Sequence, residues 1–128
     1  MGLPLTECIG LHLPFPPSVN SLYRNVPGRG RVKTDKYKDW LLKAGLVANS
    51  QLKTNERIEG AYGLRMRAYR PDNRRRDLSN ILKATEDLLV ALGVVEDDSL
   101  CQSIEAEWAK EQMFDGIKVW LISTKERP

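Results

Sequence analysis

Apolar and polar residues change rhythm several times along the chain, and each rhythm predicts an element. Ile9 to Leu13 is apolar with weak alternation, which predicts a strand. Pro14, Pro16 and Pro17 stop it, because proline has no N–H to donate to a ladder. From Asp35 to about Leu52, Tyr37, Trp40, Leu41, Ala44, Val47 and Ala48 recur at helical spacing, with Asp35 or Thr34 as the cap. Between Ala61 and Tyr69 the pattern alternates: Tyr62, Leu64, Met66 and Ala68 face one way, Arg65 and Arg67 the other, as in a half-buried strand. The two arginines there suit a solvated face as well as they suit contact with a polyanion.

A second helix follows Pro71, with Ile81, Leu82, Thr85, Leu88, Leu89 and Leu92 as its apolar stripe and Gly93 as its left-handed stop. Asn80, Lys83 and Asp87 share its polar face. Two more strands are predicted at Leu100 to Lys110 and Gly116 to Lys125, joined by a turn at Asp115-Gly116. The stretch SVNSLYRNVPGRGRVKT is rich in turn formers and reads as an exposed basic loop or ribbon, with a short strand near Arg31 to Lys33. Strand, helix, strand, helix, strand, strand predicts an α/β domain of α+β character. Its simplest packing is a small mixed sheet of about four strands with both helices on one face.

Composition narrows the setting. A chain of 128 residues, 41% hydrophobic, suits one domain with a modest core. It has no apolar run of about 18 residues and no secretory-type start, so the expectation is a cytoplasmic protein that does not enter membranes. Cys8 and Cys101 lack metal-ligand or disulfide-scaffold spacing and are expected to be reduced. The lone histidine, His12, reads as a strand position rather than a soft-metal ligand.

The net charge of +3 hides an asymmetry: through Lys83 there are 16 Lys and Arg against 7 Asp and Glu, and beyond it 4 against 10. A basic half is the footprint of a polyanion-binding surface. Within it, RRRDLSNILK sets Arg74, Arg75 and Arg76 beside Asp77 at the mouth of the second helix, while Glu96, Asp97 and Asp98 lie just past its end. A helix of about fourteen residues separates the two acidic spots by about 20 Å, so they approach only if the loop after Gly93 folds back or the next strand runs alongside. Carboxylates brought together repel unless a hard cation sits between them, and Mg²⁺ prefers such oxygen donors plus waters. Nearby arginines and Lys83 then bind phosphates or offset charge in a transition state. The plainer alternative makes Asp77 a helix cap and EDDS a solvated turn.

Three motifs carry a resemblance. LPFPPSVNSLYR, RRRDLSNILKATEDLL and GVVEDDSL, in that order and spacing, resemble the RusA family of Holliday junction resolvases. The resemblance implies an α/β fold, a homodimer, Mg²⁺ dependence with Mn²⁺ as the alternative ion, and paired symmetric nicks in four-way DNA junctions. No small-molecule cofactor is implied. By motif matching, Asp77 and Asp98 are implied as metal-binding catalytic carboxylates, Asp97 as an adjacent metal-binding acid and Lys83 as the essential lysine. Arg74, Arg75, Arg76 and Asn80, with Arg24, Arg29 and Arg31 of the basic loop, are the candidate DNA contacts. Where the family has a second signature aspartate this chain has Ser79, a poorer ligand, so the alternative is a junction-binding homologue with weak or lost catalysis. Leu88, Val90 and Trp120 are candidates for a dimer interface, with ordinary core as the alternative.

Overall fold

The computed structural model describes residues 8–112 and 114–124. In order come β1 (Cys8–Leu13), a ribbon of β2 (Tyr23–Val26) and β3 (Gly30–Lys33), α1 (Asp35–Gln51), β4 (Tyr62–Tyr69), α2 (Leu82–Ala91), β5 (Cys101–Trp108) and β6 (Gly116–Ser123). Short 3-10 turns occupy Val19–Ser21, Leu78–Ile81 and Asp98–Leu100. The main sheet runs β1-β6-β4-β5. Its β4–β5 pair is parallel and the others are antiparallel, so α2 forms the crossover that a parallel pair requires.

Alternation determines which face is buried. Leu64, Met66 and Ala68 of β4 lie opposite Leu121, Val119 and Ile117 of β6, which lie opposite Ile9, Leu11 and Leu13 of β1. All nine are buried, and they join Tyr37, Trp40, Ala44 and Ala48 of α1 and Ala84, Leu88 and Leu89 of α2 in one core. Each large aliphatic side chain buried there contributes about 1.5–3 kcal/mol. Leu88 is therefore a core residue. On the opposite face Arg65 reaches Glu105 at 3.0 Å and Arg67 reaches Glu107 at 3.4 Å, all four side chains at least 43% exposed. Such pairs contribute about 0–1 kcal/mol. Both arginines are exposed on that face and paired with glutamates of β5.

The predicted boundaries shift where local hydrogen bonds decide them. Thr34, not Asp35, caps α1: its hydroxyl oxygen accepts from the Tyr37 N–H at 3.2 Å and its hydroxyl donates to the Ser21 carbonyl at 2.6 Å. The basic loop is a ribbon of two strands, longer than the single short one expected. The second helix does not begin at Asp77. A 3-10 turn intervenes, tight enough to bring Ile81 into the core, and the α-helix starts at Leu82. The last strand ends at Ser123, and Lys125 lies outside the described residues. His12 is a strand residue whose ring Nε2 lies 2.8 Å from the Asp115 carbonyl, and the Gln51 amide brackets its backbone.

Gly93, at φ 73°, ends α2 as expected. The chain then turns back: Val94 donates to the Leu89 carbonyl, Val95 bridges Ile58, and Glu96 accepts from the Gly60 N–H at 2.8 Å. This return carries the second acidic spot toward the start of α2.

Candidate functional site

An open groove of about 780 Å³ runs past the mouth of α2. Arg74, Arg75, Arg76, Asp77, Asn80, Lys36 and Asn20 give it polar and charged groups, while Phe15 and Trp40 supply apolar wall. Phe15 stacks on Trp108 with ring centroids 6.2 Å apart, and Arg76 lies over the Phe15 ring, 5.6 Å from its centroid. Arg76 also grips Asp72 with both guanidinium nitrogens, at 2.6 and 3.0 Å, and Arg74 adds a 3.2 Å contact. The hydrogen bonds from Arg76, then those from Arg74, hold the Asp72 carboxyl well below the usual carboxylate range. Arg75 and Lys36 have no such partner among the described residues, so their charge is free for an incoming anion.

A second, smaller groove of about 340 Å³ is lined by Tyr23, Arg24, Asn25 and Arg31 on the ribbon. Asn20 lines both grooves, which makes them neighbours across the Val19–Ser21 turn. Arg31 lies 4.3 Å from the Tyr23 ring centroid, a cation–π contact that orders a long side chain. Arg29 sits in the turn between β2 and β3.

The carboxylates occupy two places. Asp77 is exposed, starts the 3-10 turn, and makes no side-chain capping bond. Asp98 has been carried back to the first turn of α2, where its carboxylate lies 3.8 Å from the Lys83 ammonium. Lys83 also contacts Asp87 at 2.9 Å, and the buried Tyr37 hydroxyl donates to the other Asp87 oxygen at 2.7 Å. Asp87, with Asp98 farther off, holds the lysine pKa above its usual value. Beside them Glu86 is half-buried, and burial, reinforced by Asp98, pushes its carboxyl up. Asp97 turns away to cap the Asp98–Leu100 turn. It accepts from the Ser99 N–H at 3.2 Å and from the Ser99 hydroxyl, which keeps it below the ordinary carboxylate range.

The fold therefore satisfies one condition set by the sequence: the loop after Gly93 does fold back, and Lys83 and Asp98 meet. Arg74, Arg75, Arg76, Asp77 and Asn80 share a groove, and Arg24 and Arg31 line its neighbour. Among the described residues no three His, Cys, Asp or Glu side chains gather closely enough to hold a metal ion. Asp72, Tyr37, Lys36 and Glu86 were not legible as site residues. Asp72 meets Arg74 and Arg76 across a bend rather than a helix turn, so helical spacing carried no signal for it.

Comparison with known proteins gives the family. A family model described as "Endodeoxyribonuclease RusA" matches residues 14–121. The chain is 36% identical over 89 residues to the crossover junction endodeoxyribonuclease RusA of Escherichia coli strain K12, covering 68% of this chain and 71% of that protein. It is 35% identical over 89 residues to the crossover junction endodeoxyribonuclease of Enterobacteria phage 82, with the same coverage.

Proposed function

The chain belongs to the RusA family of endodeoxyribonucleases, and from that premise we propose that it is a metal-dependent homodimer that resolves four-way DNA junctions by paired, symmetric nicks. The observation that carries the reading is the return of Asp98 to Lys83 at the start of α2, near the end of the helix where Asp77 and the arginine groove lie. A backbone phosphate drawn into the groove by Arg75 and Lys36 arrives beside a carboxylate that has no side-chain partner among the described residues, with an ammonium one to two turns away.

Each group has a task in that reading. Arg75, Lys36 and the ribbon arginines bind phosphates and set the register of the DNA. Arg74 and Arg76 are held by Asp72 at the groove wall, and a phosphate that displaces that carboxylate meets a matching guanidinium fork. Lys83 offsets the negative charge that grows on the phosphoryl oxygens in the transition state. Asp77 and Asp98 would hold the Mg²⁺ or Mn²⁺ ion. One or two carboxylates completed by waters and substrate phosphate suffice for such an ion, and that donor chemistry fits these two residues without a third acid. The bound ion supplies Lewis-acid polarisation of a phosphoryl oxygen. Junction choice rests on shape and phosphate placement. A twofold dimer offers two equivalent sites to a substrate of approximate twofold symmetry. Such a protein works in the cytoplasm on DNA. Among the described residues no helix is long and apolar enough to cross a membrane.

Incubation with a synthetic four-way junction and Mg²⁺ or Mn²⁺ tests this. Paired nicks that vanish in Asp77→Asn and Asp98→Asn are expected. A folded protein that binds the junction and never nicks it overturns the enzymatic reading. It then favours the second one, a junction-binding homologue with lost catalysis. Ser79 motivates that second reading: it is exposed beside Asp77 and offers a neutral hydroxyl in place of a charged ligand.

A further inference from the structure

Lys83 is placed against the preferences of its own helix. It occupies the second position of α2, at the positive end of the helix dipole, where a cation is disfavoured. Its ion pair with Asp87 runs lysine first and acid four residues later, the weaker of the two orders for helix stability. Helix formation therefore accounts for little of the pair.

Asp87 is in turn restrained from below. Tyr37 on α1 is fully buried, and its hydroxyl donates to Asp87 Oδ2 at 2.7 Å while Asp87 Oδ1 faces Lys83 at 2.9 Å. One carboxylate thus links a core tyrosine to an exposed ammonium, with both oxygens engaged. Lys83 has three donors. One meets Asp87, and Asp98 at 3.8 Å lies beyond hydrogen-bonding distance, so donor capacity remains on the side facing Asp98 and solvent. A lysine side chain has four flexible bonds, and a rigid anchor on its ammonium removes most of that freedom before any substrate arrives.

We infer that Asp87, held by the Tyr37 hydroxyl, is a positioning residue that fixes the Lys83 ammonium beside Asp98, where the phosphodiester reacts. This rests on the nuclease reading above for its purpose, but the Tyr37–Asp87–Lys83 chain is a property of the fold alone. Tyr37 and Asp87 touch no substrate. They act through Lys83, and their loss lowers the rate of the chemical step while sparing affinity.

The test compares Asp87→Asn, Tyr37→Phe, Lys83→Ala and the double variant Lys83→Ala/Asp87→Asn in the full chain, with thermal melts as a check on folding. Single-turnover cleavage of a saturating four-way junction is expected to fall in Asp87→Asn by roughly tenfold to a hundredfold, and less in Tyr37→Phe, with junction affinity within about twofold of the parent. The double variant is expected to be no slower than Lys83→Ala, because a residue that acts only through Lys83 has nothing left to position. A multiplicative loss in the double variant, or an Asp87→Asn that cleaves like the parent, overturns the proposal. A second readout is independent of cleavage. In heteronuclear NMR of the free protein, the Lys83 ammonium is expected to give a resolved signal that broadens or disappears in Asp87→Asn and shifts in Tyr37→Phe. If the parent never cleaves, the nuclease reading fails alone, and the ammonium signal still decides whether Asp87 holds Lys83. An ammonium signal indifferent to both substitutions overturns the positioning role whatever the cleavage result.

Discussion

Asp72 accepts two hydrogen bonds from the Arg76 guanidinium, at 2.6 and 3.0 Å, and so fixes one wall of the basic groove from only four residues away. A third contact, from Arg74 at 3.2 Å, ties a second arginine to the same carboxylate. The clamp orders both guanidinium groups and also occupies part of their charge.

Replacing Asp72 with asparagine is therefore expected to free positive charge for phosphate. The slope of log affinity against log salt should steepen by up to about 0.9 for each additional phosphate contact. Stability should change little, since the Asp72 carboxylate is solvent-exposed. Salt titration of junction binding measures the first and a denaturant melt the second. A slope unchanged by Asp72→Asn means that the arginines do not exchange this carboxylate for DNA.

Arg75 and Arg76 should separate. Arg75 is exposed with no partner among the described residues, so Arg75→Ala should flatten the salt slope by about 0.9 with little change in melting. Arg76 covers the Phe15 ring and its side chain is only 20% exposed, so Arg76→Ala should weaken binding and also cost about 1 kcal/mol of stability. Equal melting temperatures for the two variants would contradict that distinction.

Ser79→Asp adds a carboxylate two residues from Asp77. If charge at this position limits metal binding, the variant should cleave a four-way junction at lower Mg²⁺ concentration than the parent. Metal titrations of both proteins read this directly. Identical titration curves would show that position 79 does not set metal affinity.

Glu86 links stability to pH. Burial, then Asp98, raises its folded-state pKa. For a raised group the stabilising contribution is fully present below the unfolded value, near 4.3, and is lost as pH rises through the folded value. Glu86→Gln should therefore be more stable than the parent at pH 7, by less than about 1 kcal/mol because the carboxyl is half-exposed. The advantage should disappear near pH 4. Melting temperatures in chelator at the two pH values decide it, and a destabilisation of equal size at both would rule the linkage out.

Gly116 opens β6 with φ 101°, and a Cβ there meets the Leu13 carbonyl oxygen on the neighbouring strand. Gly116→Ala should cost about 1–3 kcal/mol or more from strain and displaced pairing. A chemical melt with wild-type-like stability would show that the turn relaxes freely.

Local pattern alone determined much of this protein. Alternation in YGLRMRAY set the buried and open faces of β4, helical spacing placed α1 and the stripe of α2, and Gly93 marked where α2 stops. These signals are legible because each is written within a single contiguous segment of chain. The pairing of β4 with β5 in parallel, the ribbon of β2 and β3, and the 3-10 turn before Leu82 were decided by contacts across the fold. So was the chemistry at the start of α2. Asp98 comes back to Lys83 because Val94 and Val95 are buried and pair with Ile58, and Asp87 is fixed because α1 delivers the Tyr37 hydroxyl to it. Periodicity records which face of an element is buried but not which element lies against it. A site assembled from four segments takes its geometry from the tertiary packing.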